Sequence, residues 1–198
     1  MNWQLKVKRL LDIFIAGFGL ILTLPLWLVI ALLIRLTSSG PVFFVQERVG
    51  QYGKIFKIYK FRTMCQGAEW QGAGLEIEKQ DKRITTIGRY LRMTSLDELP
   101  QFINVLKGEM SIIGPRPALP CQVDKYTERQ KKRLIFKPGI TGLAQVEGRN
   151  LLTWEQKIEK DIKYIEQYSL WLDFKILCKT LVVLLLAKGI YGEEGNKK

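Results

Sequence analysis

The sequence predicts an α/β protein that is mostly helical, with a re-entrant membrane helix-break-helix at the N-terminus and a small cytosolic catalytic domain. Three observations support this fold class. Residues 13–34 form a run of 22 residues without a charged side chain. Two short β-prone segments separated by glycines follow this run, and they favour a short β-hairpin. Most later segments carry helix start and stop signals, and the apolar segment near the C-terminus suits an interfacial amphipathic helix.

The composition narrows the function. The chain has 198 residues, a net charge of +12 and no histidine. The charge predicts attraction to phosphorylated substrates, anionic lipid headgroups or nucleic acid. Because histidine is absent, mechanisms that need an imidazole base or ligand are excluded, and carboxylates become the leading candidates. Cys65, Cys121 and Cys178 lack metal-ligand spacing, which indicates reduced thiols facing the cytosol.

The uncharged run is long enough to cross a bilayer, since a straight helix of this length would extend roughly 33 Å. The simplest interpretation is therefore a single-pass anchor. Basic residues flank the run on both sides, however, and the positive-inside rule places both flanks in the cytoplasm. Pro25, near the middle, removes a helical N–H group and clashes with the preceding turn. We therefore predict a helix that breaks at Pro25 and returns to the same face of the membrane.

This interpretation divides the chain into three parts. Residues 1–37 are predicted to form the membrane hairpin, residues 38–190 the catalytic domain with its C-terminal interfacial helix, and residues 191–198 a polar tail. Within the catalytic domain, segments 42–45 and 55–61 predict the β-hairpin, because Gly50 and Gly53 separate two β-prone runs.

Helices are predicted for the rest of the domain. Residues 87–93 read as a helix, and residues 100–107 as a second helix that Gly108 ends. Residues 126–136 predict a charged surface helix. Thr153 with Gln156 forms a capping-box pattern that opens a helix to about residue 168. Residues 170–188 predict a last helix, whose lysines flank a dense aliphatic face suited either to the membrane interface or to core packing.

An acidic pair, Asp97 and Glu98, lies in a basic neighbourhood. Such a pair suits chemistry on phosphate esters, because one carboxylate can attack phosphorus or hold Mg²⁺ while arginines bind the phosphoryl oxygens. The alternative is a capping box formed by Ser95 and Glu98. Pro100 favours a helix that begins at the proline itself. The pair would then lie just before a helix N-terminus, where free N–H groups favour anions.

Other charged residues are candidates for the same site. Arg116 lies between two prolines, which lower the cost of positioning a guanidinium for phosphate binding. Lys60 and Arg62 fit either substrate phosphates or lipid headgroups. Asp161 and Asp173 have the spacing of solvated helix acids, although the apolar neighbours of Asp173 favour burial or pairing.

Taken together, several motifs resemble the small monotopic phosphoglycosyl transferases of the bacterial sugar transferase family. The resemblance runs from about residue 5 to residue 190. The segments that carry it are 56–64, 94–101, 104–111, 114–117, 137–142, 148–150 and 169–173. The family often has Ser-Pro at the helix break, whereas this chain has Leu24-Pro25, so the bend would depend on the proline alone.

The resemblance implies an enzyme of the bacterial inner membrane, on the cytoplasmic face, with both termini cytoplasmic. It would move a sugar-1-phosphate, with an N-acetylated amino sugar favoured, from a UDP-sugar to undecaprenyl phosphate. The products would be UMP and an undecaprenyl-diphosphate sugar that starts capsule, O-antigen, exopolysaccharide or glycoprotein assembly. It further implies the minimal catalytic form, without an additional transmembrane bundle.

The resemblance also implies residue roles. Asp97 would be the nucleophile that forms a covalent phosphosugar intermediate, and Glu98 would help to bind Mg²⁺ or assist proton movement, so that both carboxylates are expected at the metal. Phosphate binding is implied for four basic residues, Lys60, Arg62, Arg92 and Arg116. Acidic support of the site is implied for Asp161 and Asp173. Nucleotide-sugar specificity is implied, more weakly, for Arg149 and Asn150.

Two other functions stay open at this point. One is a membrane-anchored binding protein without enzymatic activity, although the chain has no signature of nucleic-acid binding. The other is a glycosyltransferase that breaks the sugar–phosphate bond and releases UDP. The sequence leaves the sugar undecided. The loop around residues 67–74 is a second candidate for specificity, and a homodimer is one option for the oligomeric state.

Overall fold

The computed structural model describes residues 2–68 and 81–186. The part of specificity loop 67–74 beyond residue 68, the tail 191–198 and the predicted end of the last helix lie outside the described residues. The fold is mostly helical, as predicted. Its helices are α1 (Asn2–Thr37), α2 (Thr86–Thr94), α3 (Gln101–Lys107), α4 (Pro120–Val123), α5 (Glu128–Lys131), α6 (Leu143–Glu147), α7 (Trp154–Glu166) and α8 (Leu170–Leu186).

The predicted β-hairpin is present. Strand β1 (Phe43–Val49) pairs antiparallel with β2 (Ile55–Phe61), with Phe43 opposite Phe61 and Val49 opposite Ile55. Exposure alternates along both strands, because successive side chains point to opposite faces of a strand. Phe56 and Ile58 thereby join the main hydrophobic core together with Val105 of α3.

A second, parallel strand pair was not predicted. Strand β3 (Ser111–Ile113) pairs with β4 (Gly139–Thr141). The strands approach closely at Gly114, where an added Cβ would lie 2.4 Å from the carbonyl oxygen of Lys137. The sequence gives no signal for these strands, because three-residue strands carry too little periodicity to be recognised. The pair fixes the point at which the Gly114–Pro117 segment begins.

Helix α1 is continuous from Asn2 to Thr37 and contains Pro25. The chain therefore stays helical at Pro25, where the sequence predicted a break. The hydroxyl of Thr23 donates a hydrogen bond to the Gly19 carbonyl (2.7 Å), and such back-bonding supports bends in helices. Thr23, one residue before Leu24, therefore supplies the kind of hydroxyl that the Leu24-Pro25 pair lacks.

Both halves of α1 pack against the catalytic domain. In the N-terminal half, Ala16 is fully buried in the main core. In the C-terminal half, Ile34 packs with Phe61 and Leu91 in a second core cluster. The opposite face is apolar and exposed: Phe14, Ile21 and Leu28, seven residues apart, are 70%, 76% and 71% exposed. Among the described helices, α1 is long and apolar enough to cross a membrane.

Four further helix predictions can be compared with the fold. Helices α2 and α3 match their predicted ranges within about one residue, and Gly108 ends α3 with a φ of 83°. The capping box of Thr153 and Gln156 opens α7 as predicted. The prediction of one surface helix over 126–136 was wrong, because α5 is followed by a 3₁₀ turn and Arg133 is buried.

Candidate active site

The acidic pair lies in the short connection between α2 and α3. Asp97 and Glu98 belong to a 3₁₀ turn, Leu96–Glu98, that leads through Leu99 and Pro100 into α3. Ser95, with a φ of 57°, reverses the chain at the end of α2. A left-handed serine is uncommon, and this one directs the turn towards strand β2.

Neither sequence interpretation of this turn is fully correct. The Ser95 side chain makes no cap, so the capping-box alternative is excluded. The pair lies just before the N-terminus of α3, as predicted, but some of the backbone N–H groups there are already used. Glu98, Leu99 and Phe102 donate their backbone N–H groups to the carbonyls of Ser95, Leu96 and Leu99, since the turn continues smoothly into the helix.

Glu98 is held by two cations. Lys60 Nζ lies 2.7 Å from its Oε1, and Arg116 Nη2 lies 2.6 Å from the same oxygen. Burial alone would raise the pKa of Glu98, but Arg116 and Lys60 outweigh it and hold the pKa well below its usual range. Glu98 is therefore a carboxylate that stays ionised and organises its two cationic neighbours.

Asp97 has a different environment. Its side chain is buried, and it makes no hydrogen bond or ion pair among the described residues. Burial raises its pKa to about 6, whereas the positive charges of Lys60, Arg92 and Arg116 oppose that rise and Glu98 adds to it. Asp97 is thus an ionisable carboxylate without a hydrogen-bond partner among the described residues, and it lies near cations that can bind phosphate.

A buried ion pair positions the Arg116 turn. Arg133 donates to the carboxylate of Asp161 and, at 2.9 Å, to the carbonyl oxygen of Arg116. Arg48 donates to the neighbouring Pro117 carbonyl at 3.2 Å. Burial raises the pKa of Asp161 to about 6, with Arg133 acting in the opposite direction. Asp161 was predicted as acidic support, and the structure places it behind the turn, where it acts through Arg133.

Asn104 positions Lys60. Its side chain is fully buried, accepts from the backbone N–H of Tyr59 at 3.1 Å, and donates to the Lys57 carbonyl at 2.7 Å. These bonds attach α3 to strand β2 directly before Lys60. The strand and the acidic turn are thereby fixed relative to each other.

Two more basic residues belong to this neighbourhood. Arg149 donates to the Ser95 hydroxyl at 2.8 Å, and burial lowers its pKa while Glu98 raises it. Burial and then the charge of Arg116 lower the pKa of Lys157 on α7. Asn150 follows Arg149 and is exposed. Sequence reasoning assigned Arg149 only to specificity and missed Lys157 and Arg133, because solvated lysines and arginines on helices carry no distinguishing pattern.

Two predicted phosphate-binding residues have other contacts. Arg92 donates to the Thr63 hydroxyl at 2.8 Å and still contributes positive charge to Asp97. Arg62, predicted to bind phosphate, instead donates to the carbonyls of Ser38 and Ser39 after α1.

Asp173 is not in contact with the acidic pair. It accepts from Lys8 at 2.8 Å and from the Tyr164 hydroxyl at 2.7 Å. Asp173 therefore links α8 to α1. It was predicted to support the site, but its hydrogen bonds go to Lys8 and Tyr164.

The acidic pair offers carboxylate oxygens of the kind that bind Mg²⁺. Lys60 and Arg116 engage Glu98 mainly through Oε1, whereas Asp97 makes no hydrogen bond or ion pair among the described residues. Magnesium commonly binds one or two carboxylates and takes its other ligands from water and substrate phosphates. The described residues contain no group of three or more side chains of the types Cys, Asp and Glu that could hold an ion by themselves. That Asp97 and Glu98 both bind the metal therefore stays a prediction.

Comparisons with known proteins place the chain in a family. A family model described as "Bacterial sugar transferase" matches residues 3–187. The chain is 45% identical over 184 residues to the uncharacterized sugar transferase EpsL of Bacillus subtilis, covering 93% of this chain and 90% of that protein.

Two longer relatives carry more specific names. The chain is 44% identical over 189 residues to the UDP-N-acetylgalactosamine-undecaprenyl-phosphate N-acetylgalactosaminephosphotransferase of Aeromonas hydrophila, covering 92% of this chain and 44% of that protein. It is 43% identical over 192 residues to the UDP-glucose:undecaprenyl-phosphate glucose-1-phosphate transferase of Klebsiella pneumoniae, covering 93% of this chain and 41% of that protein. The chain thus spans less than half the length of these two.

Proposed function

The chain belongs to the bacterial sugar transferase family, and from this we propose that it transfers a sugar-1-phosphate from a UDP-sugar to undecaprenyl phosphate. The names of the Aeromonas and Klebsiella relatives support this reaction type. The reaction would give UMP and an undecaprenyl-diphosphate sugar, the first step in building a surface glycan.

The observation that carries the proposal is the contrast within the acidic pair. Asp97 is buried without a hydrogen-bond partner among the described residues, whereas Glu98 is bound by Lys60 and Arg116. A diphosphate that enters this site would meet Lys60, Arg116, Arg149 and Lys157. Cations placed in this way stabilise the negative charge of a phosphoryl transition state.

In the first proposed half-reaction, an Asp97 carboxylate oxygen forms a bond to the sugar-side phosphorus. The bond from this phosphorus to the bridging oxygen breaks, and the electron pair leaves with UMP. In the second half-reaction, a phosphate oxygen of the lipid attacks the same phosphorus and the Asp97 carboxylate leaves. Mg²⁺, held by Asp97 and the diphosphate, would neutralise phosphate charge when bound.

The position of the site relative to a membrane follows from α1. The catalytic domain lies along the whole of α1 and contacts both ends, through Arg9 with the carbonyls of Val105 and Leu106, and through Arg62 with those of Ser38 and Ser39. A helix that crossed the bilayer would draw this polar domain into hydrocarbon. We therefore propose that α1 enters the cytoplasmic leaflet and returns, with α8 in the interface.

A variant of Asp97 tests the chemistry. Asp97→Asn keeps the size of the side chain but removes the nucleophile, so turnover should fall by at least a thousandfold. The protein-bound radiolabel from a UDP-sugar labelled in the sugar should disappear with it. Because an ionised carboxylate would no longer be buried, we expect the free energy of unfolding to rise by roughly 1 kcal/mol. Turnover near that of the unsubstituted protein would refute the role of Asp97.

The released nucleotide identifies the reaction class. We expect UMP from at least one member of a panel of UDP-sugars with undecaprenyl phosphate and Mg²⁺. Release of UDP would indicate a glycosyltransferase, and no release from any donor would favour a binding protein. The proposed donor carries an N-acetylated amino sugar. The panel is needed to identify the sugar, because relatives of nearly equal identity are named for N-acetylgalactosamine and for glucose.

A further inference from the structure

A groove beside the candidate active site takes no part in the chemistry proposed above. It has a volume of about 400 Å³ and lies where the segment from α4 to α5 meets the start of α7. Its lining includes two aromatic rings, two carboxamides, a carboxylate and a thiol. These belong to Tyr126, Trp154, Gln122, Gln130, Glu155 and Cys121.

Arg116 lies between this groove and the acidic pair. Its guanidinium contacts Glu98, whereas its carbonyl oxygen accepts from Arg133 at 2.9 Å. Arg133 in turn donates to the Tyr126 hydroxyl and lies 5.5 Å from the centre of the Trp154 ring. Lys157 follows Trp154 by about one turn of α7. The groove is therefore joined to Arg116 through Arg133, which contacts two of its lining residues, Tyr126 and Trp154.

The two glutamines present hydrogen-bond donors of fixed orientation. The side-chain oxygen of Gln122 accepts from the Leu119 backbone N–H at 2.9 Å, and that of Gln130 accepts from Thr127 at 3.0 Å. Both bonds cap helix starts and fix the orientation of each carboxamide, so that its NH₂ group is the part left to donate. Within residues 2–68 and 81–186, the two NH₂ groups make no hydrogen bond. Glu155 adds an acceptor to the same lining.

We propose that this groove binds the uracil base of the nucleotide donor, an inference that rests on the proposed function. The polar edge of uracil reads acceptor, donor, acceptor, which two amide donors and one carboxylate complement. Trp154 offers a ring for stacking, an interaction that stabilises bound bases in other proteins. Since the leaving group lies opposite the nucleophile in an in-line displacement, UMP would extend from Asp97 past Arg116 towards the groove.

The test is nucleotide binding by the full-length protein, measured by calorimetry in detergent. We expect UMP to bind at least tenfold more tightly than CMP, because the N4 amino group of cytosine would face an amide donor. In Q122E/Q130E the oxygen that caps each helix is kept and the donors are lost, so the affinity for UMP should fall about tenfold with an unchanged Tm.

Gln156→Glu is the matched control. Gln156 caps α7 in the same manner, through the Thr153 backbone N–H at 2.9 Å, but it is not part of the groove lining. Its UMP affinity should stay within twofold of the unsubstituted protein. An equal loss in this variant, or no loss in Q122E/Q130E, would overturn the assignment of the base to this groove.

Cysteine alkylation supplies a second readout. Cys121 lines the groove, whereas Cys178 is exposed on α8. UMP should slow the reaction of maleimide with Cys121 and leave Cys178 unaffected. If the groove holds the sugar instead, UMP would give no protection and Q122E/Q130E would change the preference among UDP-sugars, which overturns the proposal. Failure of the proposed function is seen separately, as absence of UMP release by the unsubstituted protein.

Discussion

At the residue scale, two adjacent carboxylates have different roles because their neighbours differ. Glu98 shares its oxygens with Lys60 and Arg116, and these cations keep it ionised. Asp97 faces the same cations at longer range and is dominated by burial. The pair therefore contains one carboxylate that organises charge and one whose protonation changes near neutral pH.

This difference predicts the pH dependence of activity. Burial raises the pKa of Asp97 to about 6, and only the ionised form can attack phosphorus. The value of kcat/KM should therefore fall about tenfold per pH unit below 6 and level off above it. In Lys60→Gln, loss of a cation that lowers the Asp97 pKa should move the inflection to higher pH.

Lys57→Gln is the control for this profile, since Lys57 lies on the same strand and is exposed. Its inflection should match that of the unsubstituted protein. A profile for the unsubstituted protein that stays flat from pH 5 to 8 would contradict the assignment.

The buried Arg133–Asp161 pair predicts a second result at this scale. Arg133→Met leaves Asp161 buried without its partner, so the free energy of unfolding should fall by about 3–5 kcal/mol. Adding Asp161→Leu should restore much of the stability, because two apolar side chains can replace a buried ion pair. Activity should stay low in the double variant, since the Arg116 carbonyl has lost its donor.

Thermal unfolding and the KM for the UDP-sugar separate these two effects. Full recovery of activity together with stability would show that the pair serves folding alone. In that case Arg116 would be positioned by its prolines without help from Arg133.

At the element scale, close backbone contacts hold the site. Helix α2 begins at a cap in which the Thr85 hydroxyl accepts from the Gly88 N–H at 2.9 Å. Gly88 lies against Thr63 after strand β2, and Thr63 accepts a hydrogen bond from Arg92. Together with Asn104, this contact sets the distance between the strand that carries Lys60 and the turn that carries Asp97.

Gly88→Ala should disrupt this contact. An added Cβ would lie 2.0 Å from the Thr63 carbonyl oxygen, so α2 must move away from the strand. We expect a loss of about 2–4 kcal/mol in the free energy of unfolding, with reduced kcat. Chemical denaturation and steady-state kinetics measure the two effects.

Gly17→Ala is the comparison for the glycine effect. No atom lies within 4 Å of the added Cβ, and alanine favours a helix over glycine by up to about 1 kcal/mol. This variant should therefore keep or gain stability. A stable and active Gly88→Ala protein would show that α2 can shift without consequence for the site.

At the scale of the whole molecule, α1 connects the domain that carries the site to an exposed apolar surface. One face of α1 is joined to the catalytic domain along its length, and the other exposes apolar side chains. The Lys8–Asp173 pair then fixes α8 to the N-terminal half of α1. Helix α8 exposes the apolar side chains of Trp171 and Leu185. The pair therefore fixes the apolar face of α8 relative to that of α1.

Cysteine mapping tests the proposed topology. In a protein whose native cysteines are replaced by serine, Asn2→Cys and Ser39→Cys should both react with an impermeant maleimide in inside-out vesicles. Both should be protected in intact spheroplasts, because the two ends of α1 would lie on the cytoplasmic side. Leu24→Cys should be protected from either side. Labelling of positions 2 and 39 from opposite sides would establish a spanning helix.

The sequence by itself determined the mostly helical class, the β-hairpin, the limits of α2 and α3, and the acidic pair as the centre of the site. These features rest on local signals: a charge-free run, glycines between β-prone segments, and Pro100 and Gly108 at the ends of a helix. The family motifs added roles for individual residues, because they recur as contiguous segments.

Only the tertiary structure decided which charges meet. Arg62 directly follows the predicted second strand and Asp173 lies on the predicted last helix, but they contact the two ends of α1. Arg133, Arg149 and Lys157 are far from Asp97 in the chain and close to its site. Local pattern cannot distinguish them, because the energy of an ion depends on burial and on partners that are brought together by folding. The packing of α1 was decided in the same way, since an apolar run has the same sequence whether lipid or a protein core covers it.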